Sequence, residues 1–167
     1  MFTWDEVIDV ALGIEQAGEE TYRQTAKKIK GPKMSEALTW LADDEARHHK
    51  WFTRLRPQQP TAAPSSKLEK ISRTLMRDMV ENQAQFHQPD QLIHATDLTE
   101  LLVTAMEAEK ETARFYELIA LMLENSGTYK KIEVIIAEEY RHAEVLEKWL
   151  SEGKLPETPS AFKSPAA

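Results

Sequence analysis

The chain repeats one spaced set of polar residues at a constant offset of 94 residues. Glu15, Tyr22, Glu45 and His48 in the first half match Glu109, Tyr116, Glu139 and His142 in the second, and no gap is needed between the first and last matched residue. Each copy reads Glu-x6-Tyr, with Glu-x-x-His beginning thirty residues after the first Glu. A fold for this chain must therefore be built from two like halves. The duplication is one repeat of a single unit, not a solenoid array.

The prolines punctuate both halves. They stand at 32, 57, 60, 64, 89, 156, 159 and 165. Proline is costly inside a helix. Four long proline-free segments remain, roughly 4–30, 33–56, 97–124 and 128–151, and each has helical periodicity. The first carries the seam Trp4, Ile8, Ala11, Glu15, Gly18, Tyr22, Thr25 and Ile29. The third carries Leu98, Leu102, Ala105, Glu109, Thr112, Tyr116, Ile119 and Leu123. The second reads Leu38, Leu41, Glu45, His48, Phe52 and Leu55, and the fourth Ile132, Ile135, Glu139, His142, Leu146 and Trp149. The repeated polar residues thus sit on core-facing stripes with apolar residues on both sides.

Gly31-Pro32 separates the first two segments, and Glu124-Asn125-Ser126-Gly127 the last two. Each Glu of a pair lies about 22 Å of helix from its turn, so closing each pair as an antiparallel hairpin brings its two glutamates level. The expected fold is all-α: a four-helix bundle of two antiparallel hairpins, with all four glutamates at one height in mid-bundle.

Residues 57–96 join the hairpins. Pro57, Pro60 and Pro64 mark a loop, and Lys67 to Phe86 is amphipathic, with Leu68, Ile71, Leu75, Met79 and Phe86 on one side. An extra helix is expected within this crossover. Residues 1–152 are expected to form one domain, and 153–167, rich in Pro and Ser, a flexible tail. At 167 residues and 41% hydrophobic, the chain can bury a sizeable core. No run of 18 apolar residues could span a membrane, and the N-terminus lacks the basic and apolar regions of a secretory signal. The expected location is the cytoplasm. A net charge of −7 argues against nucleic acid as a partner. Cysteine is absent, which excludes disulfides and thiolate-held metal.

Carboxylates in an apolar core are strongly disfavoured unless paired or coordinated, and four converging would repel and take up protons. Two divalent cations would balance four carboxylates. The i,i+3 spacing of Glu-x-x-His puts both side chains on one helix face, where they can reach the same ion. This set can make a dinuclear site within a bundle. Oxygen and imidazole donors suit non-haem iron or manganese, with zinc also possible.

The segments containing Glu15, Tyr22, Asp44-Glu45-Ala46-Arg47-His48, Glu109, Tyr116 and Glu138-Glu139-Tyr140-Arg141-His142 resemble the rubrerythrin family of the ferritin-like di-iron superfamily. The resemblance covers roughly residues 4–56 and 97–151. It implies two iron ions, bridged by Glu45 and Glu139, with Glu15 and Glu109 as terminal ligands and His48 and His142 capping one ion each. Asp44 and Glu138 are assigned as acceptors for the histidine N–H groups, an arrangement that could cross the bundle. Tyr22 and Tyr116, two turns from Glu15 and Glu109, could hydrogen-bond the carboxylates or serve as nearby electron donors. As core tyrosines they would also simply pack.

The chain departs from the family in two ways. Thr112, matched by Gly18 in the first half, stands where the family usually has a further Glu that takes part in metal movement. The cysteine-ligated rubredoxin domain is missing, so electrons would come from a separate donor protein. The six remaining ligands are also similar to the symmetric sites of bacterioferritins. The expected function is reduction of hydrogen peroxide or dioxygen at the di-iron centre. Alternatives are ferroxidase and iron handling, or a non-catalytic metal-stabilised interaction module. A homodimer is the expected assembly. Glu19, Glu20, Glu107, Glu111 and Glu144 read as surface charges. His49, His87 and His94 have no partner in the repeat and read as surface or crossover residues, while Trp40, Trp51, Met76, Met79, Met106 and Met122 read as packing.

Overall fold

The computed structural model describes residues 4–56, 74, 78, 89–121 and 126–153. These form α1 (Trp4–Lys28), α2 (Pro32–Leu55), a short α3 (Pro89–His94), α4 (Leu98–Leu121) and α5 (Ser126–Glu152). No strand occurs among the described residues. The four long helices match the four expected segments to within a few residues. Ser126 and Gly127, expected in a turn, instead open α5. Most of the expected crossover helix at 67–86, and the tail beyond Gly153, lie outside the described residues.

The turn between α1 and α2 is set by Gly31, whose φ of 142° is a conformation that side-chain-bearing residues rarely adopt. Pro32 then starts α2 with φ already suited to a helix. Ser35 Oγ donates to Ala26 O at 2.9 Å and ties the two helices across the turn. At the start of α4, Asp97 Oδ1 accepts from Glu100 N at 2.9 Å, and Glu100 reaches back to Thr96 N at 2.7 Å. This reciprocal cap satisfies Glu100 N, which the first helical turn leaves unpaired, and Thr96 N just before the helix.

The core is two apolar clusters. One joins Val7, Ile8, Ala11 and Ile14 of α1 to Phe52 of α2, Tyr116 and Ile119 of α4, and Ile132 and Ile135 of α5. The other joins Tyr22 to Leu38, Leu41, Leu92, Leu102 and Leu146. The start of α1 therefore packs beside the end of α2 and the end of α4, and both hairpins are antiparallel. The hairpins also run opposite to each other, related by a pseudo-twofold axis across the bundle. Consequently α2 ends at one end of the bundle and α4 starts at the other, about 36 Å away for a helix of 24 residues. Short α3 sits just before α4 and buries Leu92 in the second cluster.

Candidate metal centre

Between the two apolar clusters lies a polar layer. Glu15, Asp44, Glu45, His48, Glu109, Glu139 and His142 are all at most 2% exposed. Each lies on the core stripe of its helix, and all four long helices contribute.

The layer is nearly symmetric about the pseudo-twofold axis. His48 Nδ1 is 3.2 Å from Glu15 Oε2, and His142 Nδ1 is 3.2 Å from Glu109 Oε2. Tyr22 OH donates to Glu109 Oε1 at 2.6 Å, and Tyr116 OH donates to Glu15 Oε1 at 2.9 Å. Each phenol thus serves the carboxylate of the opposite hairpin. The two oxygens of Glu139 face different histidines, at 3.4 Å from His48 Nδ1 and 3.8 Å from His142 Nδ1. The imidazole rings stack, with centroids 4.7 Å apart and planes 11° from parallel.

Asp44 crosses the bundle, and its Oδ2 lies 2.8 Å from His142 Nε2. The contact lacks the alignment of a regular hydrogen bond. Arg47 pairs with Asp44 from the same helix, and Arg141 Nη2 reaches Asp44 Oδ2 at 3.7 Å. Glu138, the counterpart of Asp44 in the repeat, pairs with Arg141 Nε at 2.7 Å. Sequence reasoning gave no role to Arg47 and Arg141. The signal was present, because these two arginines repeat at the same offset as the histidines they precede.

The electrostatics follow from crowding. Burial and the charges of Glu15 and Glu109 push Glu45 well above its ordinary value. Burial, then the charge of Glu15, raises Glu139 to about 7, against the opposing pull of both histidines. Burial alone would raise Glu15, but its bond to the charged His48 brings it below the usual range. Burial would likewise lower His48, yet Glu139 and Glu15 raise it to about 10. Burial and the neighbouring carboxylates hold Tyr22 and Tyr116 well above 10, so both remain neutral donors. The carboxylate layer is thus short of positive charge.

Three sets of residues bring donor atoms within 4.8 Å of one another, as an ion requires. They are Glu15, Glu45 and His48; Glu45, Glu109 and His142; and His48, Glu138 and His142. The first two share Glu45. Glu139 Oε1 is buried without a regular hydrogen bond, so a donor atom is left over in the layer. Oxygen and imidazole donors with spare negative charge fit two divalent ions of the iron type. At the position of the family's further Glu, Thr112 Oγ1 donates to Ala108 O at 3.1 Å. That hydroxyl is engaged by its own helix.

The residues expected at the surface or in packing fall as expected where they are described. Glu20 and Glu144 are exposed, and Glu19 pairs with Arg23 at 2.7 Å. His94 is exposed, His49 is half-buried, and His87 lies outside the described residues. Trp40 and Trp51 are buried and Met106 is half-buried, while Met76, Met79 and Met122 lack a described environment.

Two like hairpins closing on a buried layer of carboxylate and imidazole define the class of ferritin-like helical bundles. Residues 6–151 match the family model Rubrerythrin. The chain belongs to the rubrerythrin family. Comparison with curated proteins returns no match, and comparison with solved structures returns none either.

Proposed function

We propose that the polar layer holds two iron ions and that the protein reduces hydrogen peroxide or dioxygen. The observation that carries this reading is the pair of three-donor sets sharing Glu45, with Glu139 opposed to both histidines. Glu15, Glu45, His48, Glu109, Glu139 and His142 would hold the two ions in this reading. When bound, the two ions supply the two electrons that peroxide reduction consumes.

The chain's own residues do the rest. Tyr22 and Tyr116 fix the carboxylates of Glu109 and Glu15 through their hydroxyls. Asp44 orients His142 from behind, in the manner of carboxylates that support a ligating histidine. The apolar clusters on both sides keep water from the layer. Gly18 and Thr112, buried and small, stand one turn from Glu15 and Glu109 and leave room for a small oxidant. Residues 1–152 serve as the functional domain in the cytoplasm, as a homodimer reduced by a separate protein. No helix among the described residues is long and apolar enough to cross a membrane.

One observation favours a second reading, ferroxidase and iron handling. Thr112 in place of the family's further Glu leaves a symmetric six-ligand set. Anaerobic loading with two Fe(II) per chain, then rapid mixing with peroxide and separately with oxygen, separates the two. Much faster oxidation by peroxide supports the first reading. Faster oxidation by oxygen, with Fe(II) consumption continuing past the loaded ions, moves the protein to the second. Glu45→Ala should abolish dinuclear binding because both sets need Glu45, and His142→Ala should do the same. Two irons per chain in either variant would overturn the ligand assignment.

A further inference from the structure

The donors of the inner layer are at most 2% exposed, so an ion must cross protein to reach them. Glu138 differs from them. Its side chain is 17% exposed, yet its carboxylate comes within 4.8 Å of donor atoms on both His48 and His142. A narrow cleft opens at the same place, lined by His48, Trp51, Phe52, Ile135 and Glu138. The cleft is too tight to hold a water molecule, so passage needs a side chain to move. Three of its walls are apolar and carry no charge for an arriving cation. Its two polar walls, Glu138 and His48, belong to one three-donor set.

We propose that Glu138, beside His48 at the cleft, is a receiving station through which a divalent cation passes on its way to the inner layer. The inference rests on the proposed dinuclear site. A hydrated cation sheds its water stepwise, and a carboxylate at the mouth supplies both attraction and a replacement oxygen. Arg141 completes the device. At rest its Nε holds Glu138 at 2.7 Å, while its Nη2 lies 3.7 Å from Asp44 Oδ2. When Glu138 turns to an ion, Arg141 keeps Asp44 as its carboxylate partner, so no guanidinium is stranded. The repeat alone would make Glu138 a copy of Asp44, but Asp44 is fully buried and Glu138 is not.

The test is anaerobic stopped-flow mixing of the metal-free protein with Co(II), followed by its visible absorption, for the parent and Glu138→Gln. Equilibrium titration gives the stoichiometry of each. Gln keeps a hydrogen-bond acceptor for Arg141 but removes the charge. The expected result is about tenfold slower uptake in Glu138→Gln, in the range that a charged cleft adds to on-rates. Two ions should still bind at equilibrium. Uptake by the parent should slow as salt rises, and uptake by the variant should respond less. Equal uptake rates overturn the inference. So does loss of an ion at equilibrium, because Glu138 would then be a permanent ligand. A parent that binds no Co(II) would instead remove the dinuclear reading itself.

Discussion

Tyr22 and Tyr116 tie the two hairpins together at the level of single atoms. The sequence sets each phenol two turns from a Glu of its own helix, about 10 Å along the axis, and leaves its acceptor open. The actual acceptors, Glu109 for Tyr22 and Glu15 for Tyr116, depend on α1 and α4 running antiparallel, which no local pattern encodes. A buried hydrogen bond to a charged group contributes about 1.5–3 kcal/mol. Tyr22→Phe should therefore lower stability by about 2 kcal/mol in urea denaturation, and Tyr116→Phe by a similar amount. A variant as stable as the parent would make its phenol a packing group only. The titrating residues give a second expectation, for protein stripped of metal by a chelator. His48, raised from 6.5 to about 10, contributes stability that is complete below 6.5 and lost as pH rises through about 10. Glu139, raised from 4.5 to about 7, and Glu45, also raised, act in the same sense, because the folded chain holds protons the unfolded chain has released. Glu15 has the opposite sign, but its contribution is lost only as pH falls below 4.5. The stripped protein should melt lower at pH 8 than at pH 5.5, at a slope of about 1.4 kcal/mol per pH unit for each such proton. A flat or rising profile would show that the carboxylates do not crowd as described.

At the scale of elements, the long helices were legible because each presents a seam of three- and four-residue steps over nearly five turns or more. Every described seam residue is buried except Trp4, Ile29, Leu55 and Leu98 near the helix ends, which are half-buried. Short α3 was not legible: six residues give no periodicity, and Leu92 anchors it in the core. Ser126 and Gly127 read as turn formers, yet both fall in the opening turn of α5, where small polar residues are tolerated. Gly31 was legible as a turn but not as a strained one. With φ at 142°, a Cβ there would sit 3.2 Å from Met34 Sδ. Gly31→Ala should cost about 1–2 kcal/mol, seen as a lower urea midpoint with unchanged slope. An unchanged midpoint would mean that the turn relaxes freely.

For the whole molecule, the duplication in sequence becomes a near-symmetric polar layer in space, and this is why the buried carboxylates and histidines could be read as one set. Departures from symmetry could not be read. Asp44 and Glu138 occupy matched positions, but the shorter side chain reaches across to His142 while the longer one pairs with Arg141 on its own helix. Balancing the carboxylates with two divalent ions should stabilise the fold by about 2.7 kcal/mol per ion at a free metal concentration a hundred times the dissociation constant. Calorimetry should show the loaded protein melting above the stripped one, with its dependence on pH between 5.5 and 8 flattened. Equal melting temperatures would mean that the layer gains nothing from metal. The position of that layer between two apolar clusters has a mechanical consequence. The centre sits like the rivet of a pair of scissors, so the helix ends can fray without disturbing it. Ions leave sideways past Glu138 or when the hairpins part, so their residence time should not depend on the breathing of either end.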